Sequence, residues 1–575
     1  MISRNFMTAI VLALTLSACA KNDAVDKAVP SMYAEVIPWE SDGPNPFSSF
    51  VAASLAMRDN DDRLAASYYL EALNNAPDNQ FITEKAFLQL VTSGMINDAA
   101  GIAAQINTGS QLGGLANLTR ATVALKEGDA EKSSAAASDL RGASFGFIFQ
   151  PLFDAWSAAL NGDDQVAIDI LKGLGDRAVL RSLRLEHKAY IYDYLGKKAE
   201  AEAAYQSLIY SDEFTGLQPV IAYSDFLYRQ NRGNDARQLI ANELKKNKED
   251  RFLLREAQSL MMGRGPSLRA ATPEGAMANF YYRMAAETMQ QGPNLMTIIY
   301  GRMSEFLAPD NDDTKLLLGD ALMSLERYGE ATRSYDAIVM TSPIYKTAVM
   351  RNVSALLQTK AYTKAADLMI NELKSSPNNR VLLTSIAEIY REAGRCEDAI
   401  PYYDRIITSF SRKNDRIWQE YFSRGACYEE LGDWEKAKMD LYTAKDLNPD
   451  NAMVLNYLGY SLLIRDEKLE EALGFIQIAA EKEPENGSVI DSLGWLQYRT
   501  GDTVNALISL EKAVRLSPDN STINDHLGDV YWAVGRRREA RFQWQHALTL
   551  LSSKDDLKRL KDKLEFGLGF AQKAQ

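Results

Sequence analysis

The sequence predicts an all-α protein built as an α-solenoid of tandem helical hairpins, and three observations carry that prediction. At 575 residues the chain exceeds what one compact core organises, because single cores stop growing at roughly 250–300 residues. From Phe47 onward apolar residues recur at helical spacing, with no strand-like alternation. Near the C-terminus the same residue types return every 34 or 35 positions, marked by Gly425, Gly459, Gly494 and Gly528. A fixed period of that length denotes stacked hairpins, each burying its apolar face against the next.

The N-terminus reads as an address. Arg4 precedes an apolar run from Met7 to Leu16, which is too short to span a bilayer and has the shape of a secretory core. The run ends in Leu16, Ser17, Ala18 and Cys19, which resembles the lipobox of bacterial lipoproteins. The resemblance implies a signal peptide over 1–18, cleavage before Cys19, and lipidation (palmitate among the acyl chains) at that residue. In a Gram-negative cell, Ala20 in place of Asp implies sorting to the outer membrane, facing the periplasm. The alternative is an ordinary cleaved signal with an accidental cysteine. Residues 19–46 form a tether, since Pro30, Pro38, Gly43, Pro44 and Pro46 leave no helical period.

The repeat unit is sharpest in its last four copies. Each marker glycine is followed by a small residue (Ala437, Ala472, Ala506, Ala540), a large one (Leu441, Ile476, Leu510, Trp544) and a second Ala (Ala444, Ala479, Ala513, Ala547). Pro449, Pro484 and Pro518 close the first three copies. Gly and Ala let two antiparallel helices approach, the large residue fills the space between hairpins, and Pro stops the second helix. This pattern resembles the tetratricopeptide repeat, which implies a right-handed α-solenoid. The small residue continues upstream at Ala65, Ala99, Ser133, Ala167, Ala201, Ala236, Thr297, Ala331, Ala365 and Ala399, for about fourteen repeats in all.

Two places break the phase. The interval from Ala236 to Thr297 is 61 residues, one repeat plus an extra helix over Arg251–Met262 and a loop over Gly263–Gly275. This predicts a kink near 250–275, with a degenerate N-terminal solenoid over 47–248, a flexible junction over 249–275 and a C-terminal solenoid over 276–552. Four extra residues fall near Ser409–Lys413, and 553–575 reads as a polar capping tail.

Chemistry is sparse. The only histidines are His187, His526 and His546, and no metalloprotease, nucleophile-elbow or phosphate-loop motif occurs. A lone His on a repeat helix is more often structural than a ligand. No enzyme, metal, cofactor or small-molecule substrate is therefore expected, and a formal net charge of −13 weighs against nucleic acid. The alternative is a catalytic domain hidden in the degenerate stretch from Gln80 to Ser182.

The resemblance to tetratricopeptide repeats implies protein or peptide partners on a concave surface lined by each first helix. Carried onto this chain, the groove positions include Asn456, Tyr460, Asp491, Trp495, Arg499, Asp525, Asp529 and Trp532. The alternative for the aromatics is packing between neighbouring first helices. Cys396 and Cys427 lie in successive repeats, where a disulfide and two buried thiols are both compatible with the spacing. The expected role is a membrane-anchored scaffold assisting assembly of envelope machinery, such as outer-membrane proteins, a secretion or pilus complex or a polysaccharide exporter. An accessory factor for cell-wall enzymes is the rival binding role.

Overall fold

The computed structural model describes residues 46–568, apart from 60, 143–144, 176, 211–216, 247, 249, 267–269, 410–416 and 552–553. Cys19, its tether and most of the four-residue insertion therefore lie outside the described residues. What is described is all-α: fourteen antiparallel hairpins run in sequence from Pro46–Arg58 with Asp62–Asn75 to Ser521–Ala533 with Arg537–Thr549. An extra helix, Arg251–Met261, follows the sixth hairpin, and Lys554–Phe566 follows the last. The α-solenoid expected from the repeat period is what the chain forms.

The small residues do what the period requires of them. Ala65, Ala99, Ala167, Ala201, Ala236, Ala331, Ala365 and Ala399 are fully buried, as are Ser133 and Thr297. Gly459, Gly494 and Gly528 are places of forced approach: a Cβ there would stand 2.7 Å from Ile476, 2.7 Å from Leu510 and 2.5 Å from Trp544. Any side chain would push the two helices of the hairpin apart. Helix starts repeat as faithfully, because Asn451, Asn486 and Asn520 each cap a first helix by accepting from its early N–H groups.

The chain divides into two compact units at Ala361 and Tyr362, not at the junction expected over 249–275. The reason lies inside the first unit. Helices Pro273–Gln290 and Leu295–Leu307, the seventh hairpin, fold back against the first helices of hairpins two to five instead of stacking only on their neighbours. Phe149 meets Phe280 at 5.2 Å and Tyr281 at 5.4 Å between ring centroids. The Tyr281 hydroxyl lies 2.6 Å from that of Thr122, Arg283 pairs with Glu186 at 2.7 Å, and the Arg302 Nε–H donates to the Thr92 carbonyl at 3.1 Å. Phe280, Tyr281 and Tyr300 are buried, each stabilising the packing by about 1.5–3 kcal/mol relative to exposure. The expected kink is instead tied into a core, with Leu253 and Leu260 of the extra helix also fully buried.

The stretch from Gln80 to Ser182 is not a separate domain either. It folds as hairpins two to four, Gln80–Ser93 with Ile96–Ala103, Gly113–Lys126 with Ala130–Ser138 and Gly146–Leu160 with Asp164–Leu171, and runs into the first helix of the fifth. The second unit begins at Tyr362 and holds the remaining repeats and the terminal helix.

Candidate functional site: the first-helix face of the C-terminal repeats

The sequence places the groove on the first helices Ala452–Ile464, Gly487–Arg499 and Ser521–Ala533. At the far end this face is occupied. The terminal helix Lys554–Phe566 buries Leu560 and sets Lys563 between Asp525, at 2.7 Å, and Asp529, at 2.8 Å. Arg559 of the same helix also pairs with Asp525. Trp544 donates its indole N–H to Asp529 at 2.9 Å. Burial disfavours the Asp525 carboxylate, but Lys563 and Arg559 outweigh it and hold the carboxyl below its ordinary range.

Trp532 stacks beside Trp544 with centroids 5.3 Å apart, and Gly567 closes over it so tightly that a Cβ would stand 2.1 Å from the indole. Asp525 and Asp529, expected on an open groove, are thus buried and bonded to the chain's own last helix. Two carboxylates on neighbouring turns need a cation when desolvated, and Lys563 supplies it. The terminal helix packs on the last repeat through a buried leucine and a buried lysine.

One repeat earlier, Asp491 is buried and receives the His526 ring through Nδ1, 3.0 Å from both carboxylate oxygens. The same ring lies flat on Trp495, with centroids 4.0 Å apart and planes 13° apart. Burial works against a charge on His526, yet Asp491, Asp525 and Asp529 outweigh it, and the ring's pKa is raised above the ordinary histidine value. Trp495 also packs on Tyr498 at 5.3 Å. Arg499 is exposed and pairs with Asp466 at 2.6 Å.

The twelfth hairpin is the more open end. Met453 is 48% exposed and Ile464 45%, at the two ends of its first helix. Between them, Tyr460 is half-buried, with burial and the Asp491 carboxylate pushing its hydroxyl up to about 12. The Asn456 side-chain oxygen is buried and has no hydrogen-bond partner. Val381 holds the same place in the tenth hairpin as Met453 does here, and is 67% exposed.

Lys563 and Arg559 were not singled out by motif reading, and His526 and Trp544 entered it only as a lone histidine and a repeat marker. The signal that finds them is the repeat period itself, applied to pairs. His526 follows Asp491 by 35 residues, Arg559 follows Asp525 by 34 and Lys563 follows Asp529 by 34. Ser423 and Glu388, 2.9 Å apart and 35 residues apart, repeat the same relation. An acid on one first helix therefore meets its donor on the next, one period on.

Cys396 and Cys427 are joined by a disulfide, with Cα atoms 5.0 Å apart, which ties the second helix of the tenth hairpin to the first helix of the eleventh. His187 sits in the first unit's core, accepting the Trp156 indole N–H at 2.9 Å, and burial drives its pKa down to about 3. Among the described residues, no three His, Cys, Asp or Glu side chains converge as a metal site would require.

Comparison with known proteins agrees with this architecture. Tetratricopeptide-repeat models match residues 185–215 and 384–444. A TPR repeat-containing protein of Pseudomonas aeruginosa is 26% identical over 207 residues, 36% of this chain and 34% of that protein. The BBSome complex member BBS4 of Bos taurus is 24% identical over 266 residues, 46% of this chain and 49% of that protein. The chain thus spans a third to a half of the length of these relatives. A crystal structure of a tetratricopeptide repeat protein from Parabacteroides merdae superimposes with a TM-score of 0.35 at 13% identity, covering 50% of this chain and 97% of that one. The chain thus carries tetratricopeptide repeats at 185–215 and 384–444, within an array of helical hairpins.

Proposed function

We propose that the chain is a protein-interaction scaffold of the cell envelope, anchored to the outer membrane through lipid on Cys19 and facing the periplasm. Partners are protein or peptide segments that lie on the first helices of hairpins ten to twelve. The observation that carries this reading is the buried Asn456 side-chain oxygen, which has no donor and lies on the same helix as the exposed Met453 and Ile464. The seventh hairpin packs on parts of the first helices of hairpins two to five, and the terminal helix engages the fourteenth. Hairpins ten and twelve keep Val381, Met453 and Ile464 exposed and the Asn456 oxygen without a donor. Exposed apolar side chains beside an unmatched acceptor suit an extended or helical peptide, whose backbone N–H groups need acceptors and whose side chains need apolar contact.

Assembly of outer-membrane proteins, of a secretion or pilus complex or of a polysaccharide exporter is the role that such a scaffold serves, with service to cell-wall enzymes as the rival. Anchoring rests on the lipobox-like sequence before Cys19. Among the described residues no helix is long and apolar enough to cross a membrane.

The test is a photocrosslinking amino acid placed at Met453 in cells, with a second at Glu485 on an exposed loop as control. Discrete crosslinked proteins at Met453 and none at Glu485 support the reading; equal patterns at the two sites remove it. Metabolic labelling with an alkyne fatty acid checks the anchor, since the native chain should take label and Cys19→Ala should not.

A further inference from the structure

A cleft of about 730 Å³ opens in the first unit, far in sequence from the face just described. Its walls are the second helices Ala130–Ser138 and Asp164–Leu171, and its floor is the first helix Gly146–Leu160. The cleft exists because both wall helices are short, and the first is almost wholly Ala and Ser where it faces the opening. Small side chains at Ala135 and Ala158 leave the space that a leucine or phenylalanine would fill.

The lining is acidic, with no base to balance it. Glu131, Asp154 and Asp163 line the cleft, and no Lys, Arg or His does. Nearby lysines are committed elsewhere: Lys132 to Asp129 at 2.8 Å, Lys172 to Asp169 at 2.6 Å, and Lys197 to Asp164. Asp154 is held in place by Ser134, which donates to one carboxylate oxygen at 2.6 Å, and by Gln150, which donates to the other at 3.3 Å. Asp163 stands at the N-cap of its helix yet makes no side-chain cap bond, so its carboxylate is not used by the fold. At the floor Ser157 is 4% exposed, and its hydroxyl has no hydrogen-bond partner. The Ser157 hydroxyl is thus a buried polar group that folding leaves unmatched, in the floor of a cleft whose charged lining is acidic throughout.

We infer that this cleft binds an extended organic cation, with Lys- or Arg-type amino or guanidinium groups distributed over the carboxylates of Glu131, Asp154 and Asp163. A single metal ion does not fit, since no three acids converge on one point among the described residues. Two sources share this chemistry: a basic segment of a protein partner, and a free polyamine. Val166 and Ile170 on the far wall give apolar contact for the methylene stems that either would bring.

Two probes distinguish the sources by calorimetric titration into the full chain: spermidine, and an acetylated, amidated Lys-Ala-Ala-Arg peptide. Glu131 and Asp163 are exposed, so the double substitution Glu131→Gln with Asp163→Asn leaves the core untouched. Ala135→Phe, also at an exposed position, fills the opening without changing charge. Binding of either probe that weakens about tenfold or more in both variants, with far-ultraviolet circular dichroism unchanged, supports the site, and the tighter probe names the source. Absence of binding by both probes, or binding that neither variant alters, overturns it. Neither result bears on the first-helix face of the second unit, because the two sites share no residue.

Discussion

Lys563 stands within hydrogen-bonding distance of both Asp525 and Asp529, at 2.7 and 2.8 Å, and is itself 4% exposed. A buried lysine holding two carboxylates makes the terminal helix part of the last repeat's core. Replacing Lys563 with Met keeps the volume, removes the lysine from desolvated Asp529 and leaves Asp525 with Arg559. The expected loss is about 3–5 kcal/mol of stability, seen as a lower denaturant midpoint for the C-terminal repeats. Adding Asp525→Asn and Asp529→Asn to that variant should restore much of it. An unchanged midpoint in Lys563→Met would show that the terminal helix is held by its leucines alone.

The His526 ring predicts a pH dependence of known sign. Its folded pKa is raised, so its contribution to stability is fully present below its unfolded value, about 6.5, and is lost as pH rises through the raised folded value. The facing groups are Asp491 on the preceding first helix, Asp525 and Asp529 on its own, and Lys563 and Arg559 on the terminal helix. His526→Gln should therefore cost most in melting temperature at acid pH, and the gap to the native chain should narrow in mildly alkaline buffer. A gap that widens with pH would mean that the ring is neutral against Asp491.

Two glycines, in the twelfth and fourteenth hairpins, should respond with opposite signs. A Cβ at Gly528 would meet Trp544 at 2.5 Å, so Gly528→Ala should destabilise by about 1–3 kcal/mol. Gly474 lies inside the helix Leu469–Lys482 with open space around it, and Gly474→Ala should stabilise by about 0.5–1 kcal/mol. Chemical denaturation of both variants checks the pair, and equal shifts would contradict the close approach at Gly528.

These results separate what the sequence discloses from what it hides. Gly494 and Ala506 were legible because steric contact within a hairpin forces a small residue at the same place in every copy. The groove was less legible, because its exposure depends on which other segment covers it. Nothing local to Asp529 announces Lys563, and nothing local to Phe149 announces Phe280; only the assembled array brings each pair together. The same holds for the expected junction over 249–275. Its loop reads as a hinge, but Tyr281 and Arg283 just beyond it are fixed against Thr122 and Glu186.

The central claim is that the first helices of hairpins ten to twelve receive a protein partner, and partner capture by a double variant tests it most directly. Met453→Arg with Ile464→Arg alters two side chains that are 48% and 45% exposed, so the melting temperature should match the native chain. Capture of the proteins crosslinked at Met453 should fall about thirtyfold, the equivalent of about 2 kcal/mol at a central contact. Trp495→Ala serves as the contrast: its indole is stacked on His526, so it should lower the melting temperature, with capture falling only as folded protein is lost. Native-level capture by the folded Met453→Arg, Ile464→Arg chain would contradict the account.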